Sequence, residues 1–240
     1  MIQADHNALT INVSIFFRRV WEGWKMNRRF ALFDFDGVIA DTENSNVVFL
    51  QKALSFWSIE LTDEDKRLLI GTRDGAQINR VLSRASCPVS QEDLRKKRSE
   101  IGNTYENGEL CAERGIKKLI EYLRKQEIRT ALVSSTSAKL IITALNRLGM
   151  MDMFDVIVCG DMCNEAKPNP EGYKKAMEYL GAKPEESVVF EDSKVGILAG
   201  KQAGAYVVAY TGGSIEQDTR EADSQIKSFM NIKEIIDNFV

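Results

Sequence analysis

An α/β fold is predicted, with a parallel sheet wrapped by helices and an all-helical insertion after the first strand. Three observations predict it. From Met26 onward, short apolar runs rich in strand formers alternate with longer amphipathic stretches, the pattern of strands joined by helical crossovers. The interval between the first two runs far exceeds one crossover helix and is itself helical in pattern. Polar residues gather just after the apolar runs, at the edge where open parallel sheets bind ligands.

Residues 30–34 open the sheet, and the run delivers the carboxylates of Asp34 and Asp36 before Gly37 frees the backbone to turn. Residues 43–57, 63–69, 74–85 and 91–107 then carry spaced apolar residues with charge between them, the mark of helices. They assign residues 43–111 to a helical cap, with hinges near residues 41–44 and 108–115. The sheet resumes with strands at 129–134, 156–160, 187–191 and 205–210, separated by helices at 116–125, 138–148, 170–180 and 195–203. Pro170 suits a first helical turn and Gly181 a helix end. Residues 26–42 and 112–240 thereby form the expected core domain.

Composition limits what such a fold does. The chain has 240 residues, 44% of them hydrophobic, enough for one sizeable core and a smaller insertion. A net charge of −3 gives no electrostatic case for nucleic acid or an anionic membrane. Cys87, Cys111, Cys159 and Cys163 have neither the density nor the spacing of a disulfide scaffold, which points to reduced thiols and a cytoplasmic location. The single histidine, His6, stands near the start. Unless that segment folds back, histidine triads and histidine-bound zinc are excluded, and acid–base work falls to carboxylates or lysine.

The first 25 residues stand apart. Residues 11–24 are apolar, aromatic and basic but too short and interrupted to span a bilayer, and no small-residue cleavage site follows a long apolar core. The codons for Trp21-Glu22-Gly23-Trp24-Lys25-Met26 must form a purine-rich run like a bacterial ribosome-binding site before a start codon. Residues 1–25 are therefore expected to be a non-native extension with Met26 as the native start; the alternative is an amphipathic docking arm.

The chemistry centres on Asp34 and Asp36. Residues two apart in an extended strand share a face, so both carboxylates address one reacting centre. Their repulsion is relieved by a cation such as Mg2+, which prefers hard oxygen ligands, an arrangement suited to phosphoryl chemistry. Polar residues after the other strands converge on the same edge: 134–137 after the second, Lys167 after the third, Glu191 and Asp192 at the end of the fourth.

Four segments carry a family resemblance, in the family's order: Asp34-Phe-Asp36-Gly-Val-Ile-Ala-Asp41-Thr-Glu43, Val133-Ser-Ser135-Thr-Ser137, Lys167-Pro-Asn-Pro170, and the stretch from Val189 through Glu191-Asp192-Ser193 to Gly204. Together they resemble the haloacid dehalogenase-like superfamily, in the branch of beta-phosphoglucomutase and its sugar-phosphatase relatives. The resemblance implies a Rossmann-like core with an inserted cap of the C1 type, and Asp34 as a nucleophile forming an aspartyl-phosphate that water hydrolyses. It implies Asp36 as the acid that protonates the leaving oxygen and later activates water. Mg2+ would be held by the Asp34 side chain, the Asp36 carbonyl and Asp192, with Glu191 in or near the shell. Lys167 would contact both nucleophile and phosphoryl group, and Ser135 would grip phosphate oxygens, whereas Thr136 serves either the phosphate or the cap of the following helix.

The second aspartate favours phosphate-ester chemistry over dehalogenation, because an alkoxide leaving group needs a proton. The mutase branch carries a histidine where this chain has Asn46, which leaves Asp36 without that gate and favours hydrolysis of a small phosphorylated metabolite. A phosphosugar mutase and a catalytically silent binding relative are the alternatives. Arg73, in a loop resembling the family's specificity loop, is a candidate for a second anionic or hydroxyl-rich substrate group, with Lys96 and Lys97 weaker ones. A monomer or weak homodimer is expected.

Overall fold

The computed structural model describes residues 28–69, 75–214 and 217–239. The expected N-terminal extension, its docking-arm alternative and Arg73 lie outside the described residues.

Strand β1 (Phe30–Phe33) leads into the cap helices α1 (Glu43–Leu54), α2 (Asp63–Leu69), α3 (Gly75–Leu82) and α4 (Gln91–Ile101). The chain then returns through helix α5 (Ile116–Lys125), β2 (Arg129–Val133), α6 (Ala138–Leu148), β3 (Val156–Val158) and α7 (Glu171–Leu180). Strand β4 (Ser187–Glu191), α8 (Lys194–Gln202), β5 (Tyr206–Tyr210), β6 (Ser224–Ile226) and α9 (Ile232–Ile236) complete it. Every strand pair is parallel, in the order β3-β2-β1-β4-β5-β6. That order reverses at β1, and the crevice beside it is where doubly wound sheets take ligands.

Strand alternation divides the core into two layers. Ala31 and Phe33 of β1 and Val188 and Phe190 of β4 face one layer, where the Phe33 and Phe190 rings stack with centroids 4.8 Å apart. Leu32 and Val189 face the other, against Tyr173, Ala176, Met177 and Leu180 of α7. Helix α5 closes the first layer with Ile116, Leu119, Ile120 and Leu123, one stripe at helical spacing and fully buried. Each such aliphatic side chain contributes roughly 2 kcal/mol by leaving water.

The cap has its own cluster of Leu50, Leu54, Leu61, Leu82 and Leu94 with their neighbours. Ser90 and Asp93 form a capping box that starts α4. Within the cap, buried Asp65 accepts hydrogen bonds from Thr62 and from Arg84, the latter at 2.6 Å. The two connections to the core run together, with Ala40 bridged to Ala112 and the Glu113 amide donating to the Ile39 carbonyl.

Several boundaries differ from expectation. Helix α4 stops at Ile101 rather than running to residue 107, because Gly102 adopts φ +106°, a conformation that ends the helix. Residues 103–108 then leave the cap helices and lie against α6. Pro170 sits just before α7 and Gly181 ends it in the left-handed region at φ +67°. Strand β6 and helix α9 escape the sequence reading because three and five residues are too short to show a period. No helix among the described residues is long and apolar enough to cross a membrane.

Candidate active site

The alternation that builds the core also aims the site. In the β1–β4 register Phe33 pairs with Phe190, so Asp34 and Glu191 follow side by side on the layer occupied by α7. Lys167, in the loop after β3, reaches into the same place. Its ammonium lies 2.5 Å from Asp34 Oδ1, 2.6 Å from Glu191 Oε1 and 3.2 Å from the Tyr173 hydroxyl. Tyr173 in turn donates to Glu191 Oε1 at 2.8 Å. The other Glu191 oxygen accepts from the Asp192 and Ser193 amides and the Ser193 hydroxyl, so this fully buried carboxylate is held at both ends. Gly196 makes room for it: a Cβ there would lie 1.7 Å from Glu191 Oε1.

One ammonium is thus shared by two buried carboxylates. Burial pushes Asp34 up to about 8, and the charges of Glu191 and Asp36 add to this against the pull of Lys167. Burial also disfavours charge on Lys167, yet Asp34 and Glu191 outweigh it and raise its pKa. The cluster therefore holds more acidic groups than one ammonium balances, and without a cation Asp34 keeps its proton at neutral pH.

Asp34, Glu191 and Asp192 each offer a carboxylate oxygen, all within 4.8 Å of one another. Gly37, at φ +83°, lets the Asp192 carboxylate pack against its backbone; a Cβ would meet Asp192 Oδ2 at 2.0 Å. The donor set is all hard oxygen, with more acidic groups than the one ammonium balances, which fits a divalent cation such as Mg2+.

Asp36 has different surroundings. Strand β1 has ended, so the two-residue alternation no longer governs its direction, and its carboxylate meets three hydroxyls. Thr42 and Tyr105 donate to Oδ1 at 2.6 and 2.7 Å, and Thr136 donates to Oδ2 at 3.2 Å. The two aspartates are therefore neighbours with separate partners, one on a cation and the other on alcohols. Thr136 does not cap α6, and neither does the Ser137 side chain; the Ala138 amide donates instead to the Asp161 carboxylate at 2.9 Å. Ser135, at the end of β2, lines a small cavity of about 80 Å³ together with Lys167, Gly160 and Asn169.

The structure brings Asp34, Asp36, Ser135, Thr136, Lys167, Glu191 and Asp192 to one edge of the sheet. Lys97 is engaged elsewhere, paired with Glu100 at 2.6 Å and lying 3.9 Å over the Phe56 ring, while Lys96 is exposed. Tyr105 and Tyr173 join them, though nothing in the sequence marks either. Tyr173 reads in sequence as one more member of the apolar stripe of α7, and Tyr105 as part of a cap helix. Asn46, at the histidine position of the mutase branch, accepts a hydrogen bond from Thr104 at 2.7 Å. Asp36 meets hydroxyls of Thr42, Tyr105 and Thr136.

A sequence profile described as haloacid dehalogenase-like hydrolase matches residues 31–210. A phosphorylated carbohydrates phosphatase from Thermotoga maritima is 31% identical over 173 residues, covering 72% of this chain and 80% of that protein. The crystal structure of CbbY from Rhodobacter sphaeroides in complex with xylulose-(1,5)bisphosphate superposes with a TM-score of 0.70 at 27% identity, covering 85% of this chain and 95% of that one. The beta-phosphoglucomutase of Clostridium difficile shares the fold, with a TM-score of 0.69 at 24% identity over 88% of this chain and 97% of that one.

Proposed function

The chain belongs to the haloacid dehalogenase-like hydrolases, and from that premise we propose that it is a phosphomonoesterase that hydrolyses a small phosphorylated metabolite through a phosphorylated Asp34. The observation that carries the reading is the division of labour between two adjacent carboxylates. Asp34 sits on a buried ammonium beside further acidic groups, and Asp36 sits apart on three hydroxyls. Environments that differ in this way separate a nucleophile from an acid.

In the first step an Asp34 oxygen attacks phosphorus, the bond from phosphorus to the leaving oxygen breaks, and the Asp36 carboxyl gives that oxygen its proton. In the second, the Asp36 carboxylate takes a proton from water as the water oxygen attacks phosphorus. The bond to Asp34 then breaks and releases inorganic phosphate. Lys167 and the Ser135 hydroxyl bind the transferring group's oxygens, and Glu191 with Tyr173 keeps Lys167 in place. Asp34, Asp192 and the Asp36 carbonyl, with Glu191 beside them, would hold Mg2+, which supplies positive charge to offset that of the phosphoryl group. Substrate choice rests with the cap, through Arg73. The relation to a carbohydrate phosphatase and to a protein that binds a sugar bisphosphate supports a sugar phosphate as substrate.

Phosphate release from para-nitrophenyl phosphate in the presence of Mg2+, lost in Asp34→Asn, tests this reading. An inactive wild-type protein across a panel of phosphate esters would favour the silent binder. The hydroxyls on Asp36 favour one second reading, a mutase, because they keep that carboxylate engaged rather than open to water. Conversion of beta-glucose 1-phosphate to glucose 6-phosphate with a bisphosphate primer, without phosphate release, would establish it.

A further inference from the structure

Tyr105 reaches Asp36 from a piece of chain that is built to hold it there. After Gly102 the segment runs along α6, where Arg147 donates to the carbonyls of Thr104 at 3.1 Å, Tyr105 at 2.7 Å and Gly108 at 2.7 Å. Lys139, at the other end of the same helix, pairs with Glu106 at 3.0 Å. Within the segment, Asn103 donates to the Glu106 carboxylate and accepts from its amide. The Tyr105 ring is buried, 6.0 Å from that of Phe35 and belonging to the core of the sheet domain rather than of the cap. Ring, backbone and flanking charges are all fixed, so the hydroxyl has one place to go. It lies 2.7 Å from Asp36 Oδ1 and 3.1 Å from the Thr136 hydroxyl oxygen.

From this geometry we propose that Tyr105 is a positioning residue for Asp36, and that Arg147 is the clamp that sets Tyr105. The proposal rests on the phosphomonoesterase reading. Thr42 holds Oδ1, and Thr136 reaches Oδ2 only at 3.2 Å. Tyr105, on Oδ1 and 3.1 Å from the Thr136 hydroxyl, joins the two contacts and so fixes the carboxyl plane. Proton delivery to a leaving oxygen tolerates little misplacement, because the proton must cross a single hydrogen bond. Tyr105 acts through Asp36 and need not touch substrate. A tyrosine kept only for packing would lose nothing as phenylalanine, since the contact with Phe35 would persist.

The leaving group supplies the test. An aryl oxide departs with little help, whereas an alkyl or sugar oxide needs the Asp36 proton, and kcat/KM reports only steps up to its departure. Wild type and Tyr105→Phe are compared on para-nitrophenyl phosphate and on the best alkyl or sugar phosphate found. The ratio of kcat/KM for the alkyl ester to that for the aryl ester is expected to fall roughly 10- to 100-fold in the variant, a part of what a general acid provides. Arg147→Met, which changes no side chain that touches Asp36 but removes the clamp on Tyr105, is expected to shift the ratio in the same direction. Should Tyr105→Phe fail to fold, the Arg147 variant decides alone. Equal losses on both esters, or none on either, overturn the positioning role while leaving the phosphatase reading intact. A wild-type protein that hydrolyses neither ester overturns that reading, and this proposal with it.

Discussion

Lys167 Nζ stands 2.5 Å from Asp34 Oδ1, and both side chains are almost wholly withdrawn from water. The same ammonium serves Glu191, which is fully buried. Removing one partner from a buried ion pair leaves uncompensated charge, which costs roughly 3–5 kcal/mol. Lys167→Met is therefore expected to lower the unfolding free energy of the metal-free protein by about that amount and to abolish turnover. Chemical denaturation measures the first, and a variant as stable as the parent would show that the three groups do not act as a unit.

Asp34 makes cation binding depend on pH. Its value of about 8 in the folded, metal-free protein lies above the ordinary 3.8, so the native state holds a proton that the unfolded chain has released. Stability from this group is therefore lost as pH climbs between those values. A divalent cation must displace the proton, so its apparent association constant should rise with pH, by up to about tenfold per unit, and level off above about 8. Calorimetry in buffers of different ionisation enthalpy counts the proton released. An affinity that is flat across this range would contradict the placement of Asp34 in the cation site.

Asp65 anchors the cap and shows the opposite sign. Burial raises it, but the Arg84 guanidinium and Thr62 hold it at about 2, below the ordinary 3.8. Its contribution is thus complete above the ordinary value and lost as pH falls through about 2. The shift corresponds to about 2 kcal/mol at neutral pH. Asp65→Asn should cost the cap about that much, read as a lower urea midpoint, and should flatten the acid limb of the stability profile.

Gly196 is predicted to be intolerant of even one methyl group. A Cβ would collide with Glu191 Oε1, the atom that also receives Lys167 and Tyr173. Displacing that carboxylate by about 1 Å should reduce kcat/KM on the order of 100-fold while the far-ultraviolet circular dichroism stays native. A fully active Gly196→Ala would mean that Glu191 does not position Lys167.

Much of this was legible beforehand. Asp34, Lys167, Glu191 and Asp192 follow strands whose apolar runs are plain in sequence, and the parallel sheet brings strand ends together wherever they fall along the chain. The pairing of Tyr105 with Asp36 was not legible, because it spans 69 positions and depends on α4 stopping at Gly102. The apolar spacing of residues 91–107 continues through that glycine, so periodicity alone carries the helix too far. The direction of Asp36 was also hidden. It follows from β1 ending at Phe33, one residue before the expected limit, which releases the next residues from the pleat.

The grip of Arg147 on the carbonyls of Thr104, Tyr105 and Gly108 also bears on where the lid can be exchanged. A foreign lid spliced in between Thr42 and Gly102 would leave Tyr105 with its native anchor, so under the proposed roles such chimaeras are expected to keep Asp36 aligned while acquiring new selectivity. A splice running on to residue 111 would discard that anchor point. The natural seam for recombination therefore lies several residues earlier than a count of helices suggests.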